Sequence, residues 1–362
     1  MTKNTLEQLR KEVDLIDIEL QELISKRAKI AKKIAEVKKN TDVKKSNFYR
    51  PEREIEVLRR VKQRNQLDKV LKDGVITHIF REIMSACLAL EQPLNIAYLG
   101  PEGTFTQQAA LKHFGSSVKT IDCATVEDIF YQVEKNNSDY GVVPVENSSN
   151  GVVGITIDML YALNLKVCGE VEVEVHHQLM TKNINQEIKY IYAHQQAFDQ
   201  CRRWLNNHYP NAILKAVNSN ALAARMVMDE ENSAAIASEF ALSLYDLELL
   251  HKNIEDKVGN STRFLIIGKE YIKRTHNDKT SLLVVAKHEA GALFSIIAPF
   301  KEANINILQL ARHPIPGVKW EYLFFVDIKG HKDDKEVAKA LQKVTKKASK
   351  LKILGSYAVS EL

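Results

Sequence analysis

The chain has 362 residues, 45% apolar and 27% charged, which is the balance of a soluble globular protein long enough for two or three domains. No apolar run approaches the roughly 18 residues of a membrane helix, and the polar start MTKNTLEQLRKEV has no apolar signal core, so a cytoplasmic protein without a membrane partner is expected. The four cysteines, Cys87, Cys123, Cys168 and Cys201, contain no CxxC pair, which argues against zinc and disulfide frameworks, and the net charge of +5 comes from the first 91 residues, with 21 Lys and Arg against 15 Asp and Glu.

From Leu6 to Val37, apolar residues fall at Leu6, Leu9, Val13, Ile16, Leu20, Leu23, Ile30, Ile34 and Val37, the three-and-four spacing of a packed helix. The missing member of this series is Arg27, a charge on an apolar stripe that needs an anionic partner. Eleven basic residues lie between Lys26 and Arg53, against Glu36, Asp42 and Glu52, so the local field attracts anions. Such a helix is about 50 Å long, wider than a small domain. After the polar stretch NTDVKKSN a second helix opens at Pro51, with Glu52 and Glu54 near its positive end. A third runs from about Asp68 to Glu91, ending before Pro93. Three helices cannot enclose so long a first one, which predicts an intertwined homodimer or a higher homo-oligomer.

Beyond Pro93 short β-rich runs alternate with helical ones. NIAYLG is followed by helices over about 106–114 and 126–135, then YGVVPVE and a helix over 152–163. KVCGEVEVEV, KYIYAH, a helix over 198–207, another over 221–228, AAIAS and TRFLIIG complete two α/β lobes with a cleft between them. After KRTHNDK the order is βαββαβ, a ferredoxin-like α+β unit. The expected domains are 1–92, 93–272 and 279–362.

Arg27 and Lys38 are 11 residues apart, close to three turns, and share a helix face. Arg10 precedes Arg27 by 17 residues, roughly 25 Å along the axis. In an antiparallel dimer Arg10 of one chain completes a site built by Arg27, Lys38 and Arg53 of the other. The residues LRKEVDLID, SKR, EVK, YRPERE and IFREIMSACLALE resemble the all-α chorismate mutases over the first 91 positions. That resemblance implies that Arg10, Arg27 and Arg53 hold carboxylates, Lys38 donates to the breaking ether oxygen, and Glu54 contacts the substrate hydroxyl. Arg50, Cys87 and Glu91 stand where the best-known version has an acidic residue, serine and glutamine. A carboxylate cannot donate to the ether oxygen, so Glu91 is expected to work with its proton on.

YLGPEGTFTQQAA, TVEDIF, YGVVPVENSSNGVV, the HQQAF region after His194, VNSNALAA and NSTRFLIIG resemble prephenate dehydratase from Leu94 to Gly268. The resemblance makes Thr262 the residue tied to catalysis. Thr125, Asn147, Ser148, Ser149, Ser219 and Asn220 are candidate carboxylate donors, with helix capping as the structural alternative for loop Ser and Asn; Arg263 and Phe264 complete the TRF motif. His176 and His177, read as adjacent in a strand, face opposite ways and cannot share a metal. GPEGT lacks the endings of a P-loop or dinucleotide fingerprint, so neither metal nor cofactor is expected.

The C-terminal unit, with Gly291, Ala292, Leu293 and Phe294 as its GALF motif, resembles an ACT domain, which implies phenylalanine sensing at a subunit interface. The family's second motif, Glu-Ser-Arg-Pro, appears as Ala311, Arg312, His313 and Pro314, which predicts weak or altered inhibition. Together the resemblances imply a bifunctional enzyme of phenylalanine biosynthesis taking chorismate and prephenate. A dimeric ligand-sensing nucleic-acid regulator is the non-enzymatic alternative. The apolar spacing through the basic helix, and the lack of any recognised DNA- or RNA-binding motif, weigh against a nucleic-acid partner. A dehydratase with a relict mutase domain is the second alternative.

Overall fold

The computed structural model describes residues 2–40, 49–315 and 322–360, so most of NTDVKKSN lies outside the described residues. The chain divides into two compact units, residues 1–94 with 114–119, and residues 95–113 with 120–362. Among the described residues no helix is long and apolar enough to cross a membrane.

The first unit holds α1 (Thr2–Asn40), α2 (Pro51–Asn65) and α3 (Asp73–Glu91). Pro51 occupies the start of α2, where its missing N–H has no helical partner to lose, and Glu52 and Glu54 lie in the first turn. Helix α3 begins at Asp73, later than expected, because Lys69 adopts φ 50 and breaks the helical path. Asn65 then closes the turn by donating to Leu71 O at 2.9 Å and Asp73 Oδ1 at 2.7 Å. Helix α1 meets α3 near its C-terminal end, and only Ala31 and Ala35 of its described side chains are buried. The apolar stripe from Leu6 to Val37 is 46–63% exposed.

Among the described residues the second unit contains three sheets. The first lobe is built from β1 (Asn95–Leu99), α4 (Phe105–Phe114), β2 (Lys119–Cys123), α5 (Val126–Glu134), β3 (Tyr140–Asn147), β4 (Gly151–Val152), α6 (Gly154–Ala162) and β5 (Lys166–Glu174), with β11 (Ser261–Gly268) returning to it. Its strand order is β2-β1-β3-β11-β5, with β4 on β3. The second lobe contains β6 (Gln178–Thr181), β7 (Tyr190–Ala193), α7 (Gln195–Gln200), α8 (Arg202–His208), β8 (Ile213–Ala216), α9 (Asn220–Val227), β9 (Ser233–Ala237), α10 (Glu239–Leu244) and β10 (Glu248–His251), in the order β10-β6-β9-β7-β8. The helix expected over 198–207 is two short ones, because the Asp256 carboxylate accepts from Arg203 N and Trp204 N and starts α8 anew. His176 and His177 follow the end of β5 and belong to no strand.

The third sheet comprises β12 (Asp278–Val285), β13 (Ile307–Pro314), β14 (Tyr322–Lys329) and β15 (Lys350–Ala358), ordered β13-β14-β12-β15 and antiparallel throughout. Helices α11 (Ala292–Glu302) and α12 (Lys335–Lys347) complete βαββαβ. One face of this sheet shares a core with the first lobe, where Leu283, Leu323, Phe325 and Leu354 join Val143, Val145, Leu265 and Ile267. Gly355 lies so close to β5 that a Cβ there would be 2.0 Å from Val167 O.

Candidate active sites

In the helical unit, the Lys38 ammonium is 3.3 Å from Glu91 Oε2, with both side chains largely buried. Arg27 Nη1 donates to Ile83 O at 3.3 Å. Glu54 lies against Arg81, whose Nε is 3.7 Å from Oε1. Burial pushes the Glu54 carboxyl up to about 7, against the opposing pull of Arg81 and of a hydrogen bond from Tyr49. Cys87 is buried on α3 one turn before Glu91. Arg53 pairs with Glu56 at 2.5 Å on the exposed side of α2, and exposed Arg50 precedes that helix. Arg10 is exposed, and unbroken α1 keeps it roughly 25 Å from Arg27. One chain therefore pairs Lys38 with Glu91 and sets Arg27 and Glu54 against residues of α3, but leaves Arg10 far from Arg27.

In the second unit a cavity of about 380 Å³ is lined from both lobes and includes Asn147, Ser219, Asn220 and Thr262. Among the described residues that line it there is no Asp, Glu, Lys or Arg. Helices α4 and α9 start at its wall, so their first-turn N–H groups offer an anion-favouring field without a fixed charge. Thr262 Oγ1 accepts from Asn147 Nδ2 at 2.9 Å. Ser219 Oγ accepts from Leu222 N as the cap of α9, which leaves its own proton free to donate. Asn220 Oδ1 accepts from His194 N at 2.8 Å. His177 is buried, and burial depresses its basicity, so the ring is neutral near pH 7.

A further cavity, about 290 Å³, opens on the C-terminal module and includes Gly291, Ala292, Leu293, Phe294, Tyr322 and Phe324 in its lining. Gly291 has φ 78, a left-handed conformation that glycine takes without strain, and there it caps α11. The Arg312 guanidinium carbon sits 3.4 Å above the centre of the Tyr322 ring. His313 turns the other way, with Nε2 2.7 Å from Asp158 Oδ1 on α6. Pro314 ends β13, opposite Tyr322.

Three family models match the chain: chorismate mutase type II over residues 9–92, prephenate dehydratase over 96–272 and an ACT domain over 280–345. The bifunctional chorismate mutase/prephenate dehydratase of Pseudomonas aeruginosa is 46% identical over 361 residues, 98% of this chain and 98% of that protein. The chain belongs to the bifunctional chorismate mutase/prephenate dehydratase family. The family's member from Aquifex aeolicus is 41% identical over 355 residues, 97% of each chain. Among solved structures, the prephenate dehydratase of Arthrobacter aurescens in complex with L-Phe is 30% identical, with a TM-score of 0.67, covering 74% of this chain and 90% of that one. The chain is thus an enzyme with a mutase domain and a dehydratase domain, followed by an ACT domain.

The dehydratase cavity does not gather every residue of the matching motifs. Thr125 lies outside the lining and caps α5, its oxygen accepting from Asp128 N while Asp128 Oδ2 accepts from Thr125 N. Ser148 and Ser149 are also outside it, both donating to Asn260 Oδ1 at 3.2 Å. Arg263 is not a cavity residue. Strand alternation turns it away from Thr262, and it binds Glu170 Oε2 at 2.8 Å, Asp327 Oδ2 at 2.6 Å and the Tyr357 hydroxyl at 3.0 Å. Phe264 is buried in the core. The same alternation splits the altered ACT motif. Gln309, which donates to Glu146 Oε1 at 2.8 Å, Ala311 and His313 face the dehydratase lobe, whereas Arg312 faces outward.

His177, Gln200 and Asn260 line the cavity although sequence reasoning assigns them no contact role. Asn260 and Gln200 stand inside or beside matching motifs, NSTRF and HQQAF, so the signal was present in the segments but not attached to these residues. His177 is weighed in the sequence only as a metal ligand. Among the described residues, no group of three or more His, Cys, Asp or Glu is arranged to hold a metal ion.

Proposed function

We propose that this chain converts chorismate to prephenate in residues 1–92 and prephenate to phenylpyruvate, carbon dioxide and water in residues 93–272. We further propose that its ACT domain, 279–362, takes L-phenylalanine as effector and that the protein works in the cytoplasm as at least a dimer. The observation that carries the dehydratase assignment is the meeting of Asn147, Ser219, Asn220 and Thr262 in a donor-rich cavity without charged lining residues.

In the mutase step Arg27, Arg53 after leaving Glu56, and Arg10 of the partner subunit hold the two carboxylates, because a guanidinium fork matches a carboxylate bidentately. Holding the folded dicarboxylate supplies proximity, and Lys38 with protonated Glu91 donates to the ether oxygen as charge grows there. The 3.3 Å approach of Lys38 to Glu91 supports the two facing one small volume. Glu54 accepts from the substrate hydroxyl.

In the dehydratase step the bond to the ring carboxylate breaks, its electron pair enters the ring, and the ring hydroxyl leaves as water after taking a proton. Aromatisation drives this, so the protein mainly has to orient the substrate and assist the departing oxygen. Thr262 donates to that oxygen, and the starts of α4 and α9 with Ser219 and Asn220 hold carboxylate. A cationic side chain on the departing carboxylate would stabilise the ground state more than the transition state, so the uncharged lining favours loss of carbon dioxide.

The test is phenylpyruvate formation by the purified protein from chorismate and, separately, from prephenate, with no cofactor added. Product from both is expected. Product from prephenate alone would remove the mutase assignment, and product from neither would remove the dehydratase assignment.

A further inference from the structure

The hydrogen bonds around Thr262 have a direction, because their far end rests on backbone. Asn147 Oδ1 accepts from Ser149 N at 3.0 Å and Asn150 N at 3.2 Å. A peptide N–H can only donate, so this end of the amide is oxygen, and the other end, Nδ2, donates to Thr262 Oγ1 at 2.9 Å. Thr262 therefore accepts from Asn147, and its own proton is left for the cavity.

Asn260 is where this network converges. It sits in the crossing from β10 in one lobe to β11 in the other, beside the crossing from β5 to β6, to which its carbonyl is tied by Val175 N at 2.8 Å. Its Oδ1 accepts from Asn147 Nδ2 at 3.0 Å and from the hydroxyls of Ser148 and Ser149, three consecutive residues that run from the end of β3 into the turn after it. Its amide orientation is therefore also fixed, and Nδ2 points toward Gln200 Oε1 on α7, at 3.5 Å. Gln200 Oε1 also accepts from His177 Nε2 at 2.6 Å. With its oxygen taken from two sides, Gln200 keeps its N–H groups for the cavity. The opposite orientation would set the amide nitrogen of Gln200 against that of Asn260. It would also bury a His177 Nδ1–H without an acceptor, whereas the observed arrangement leaves Nδ1, which has no hydrogen-bond partner among the described residues, as a bare lone pair.

We infer that Asn260 is a positioning residue of the dehydratase reaction: by holding Asn147 of one lobe and Gln200 of the other, it aims the Thr262 hydroxyl and the Gln200 amide at the same substrate. The inference rests on reading this cavity as the dehydratase site. Asn260 acts through its neighbours rather than on the reacting atoms.

The experiment measures prephenate turnover and, as a control on the same chain, chorismate turnover. Asn260→Ala is expected to lower dehydratase kcat by about 10- to 100-fold with KM changed by less than about 3-fold and mutase rate unchanged, as befits lost orientation. In a Thr262→Ala background the same change is expected to cost clearly less than in the wild type, leaving only the part that runs through Gln200, since residues acting through one another are not additive. Asn260→Asp keeps an oxygen for Asn147, Ser148 and Ser149 but adds a charge facing a dianion. Its second oxygen also faces Gln200 Oε1 in place of the amide N–H, so it is expected to raise KM by about 10-fold and to lower kcat by less than Asn260→Ala does. Retention of kcat by Asn260→Ala within about 2-fold, or an equal loss in both backgrounds, would overturn the inference. If Asn260→Ala does not fold, an Asn260→Asp variant whose kcat and KM both stay within about 2-fold of wild type would overturn it. Wild-type protein that leaves prephenate untouched would overturn the reading of the site, whereas wild-type turnover with an unaffected Asn260→Ala would overturn the inference alone.

Discussion

Two carboxylates in the mutase domain have different surroundings and different proposed roles. Glu54 is pushed up to about 7 by burial, with Arg81 and Tyr49 opposing. A carboxyl raised above its ordinary value of 4.5 contributes stability below that pH, and the contribution is lost as pH rises through about 7. The melting temperature of the helical domain should therefore fall over this window in the wild type and stay flatter in Glu54→Gln. Glu91 faces Lys38, and its proposed role requires its proton during turnover. Mutase rate should decline as pH rises, and Glu91→Gln should gain relative to wild type at high pH. A flat wild-type profile with no such gain would remove Glu91 as donor. The presence of both carboxylates was legible from motif spacing; the burial of Glu54 against Arg81 was not, because it depends on how α2 meets α3. Arg263 is the corresponding miss in the dehydratase domain. TRF reads as one motif, but alternation along β11 sends Thr262 and Arg263 to opposite faces.

Helix α1 is the element the sequence described best. Its period was sufficient to mark the stripe, and the interruption at Arg27 marked a ligand candidate. The stripe is exposed in the single chain, and large apolar side chains left in water forgo on the order of 1 kcal/mol or more each. Ile16→Glu with Leu20→Glu should therefore yield a monomer by sedimentation, abolish mutase turnover by withholding Arg10 of the partner subunit, and preserve prephenate turnover. A monomer with full mutase activity would contradict the shared site. The element boundaries that were missed have local causes invisible to periodicity. Lys69 takes a left-handed conformation without a glycine to announce it, and Asp256 caps α8 from more than 50 residues away in the chain.

At the scale of the molecule, the ACT module was legible from its βαββαβ order, but its fusion to the dehydratase core was not. A paired cluster of Arg263, Lys279, Glu170 and Asp327 lies at this junction, with Asp327 fully buried. Burial would push Glu170 up, yet Arg263 and Lys279 bring its carboxyl below the ordinary value. Arg263→Leu would leave Asp327 without its cation, and breaking a buried pair costs about 3–5 kcal/mol. A lowered urea midpoint for the dehydratase transition should report it, whereas an unchanged midpoint would show the cluster to be energetically neutral. The altered 311–314 motif places Ala311 and His313 against the dehydratase lobe and Arg312 outside, on the Tyr322 ring. Phenylalanine should accordingly inhibit prephenate turnover weakly in a titration, and strong inhibition at micromolar concentration would contradict this.

The two activities on one chain are tested most directly by supplying chorismate to Thr262→Ala. Prephenate should accumulate at the wild-type mutase rate, while phenylpyruvate formation falls by about 100- to 1,000-fold, the effect of removing one positioned donor. Phenylpyruvate at the wild-type rate would contradict the account, because the cavity around Thr262 could then not be where prephenate is consumed.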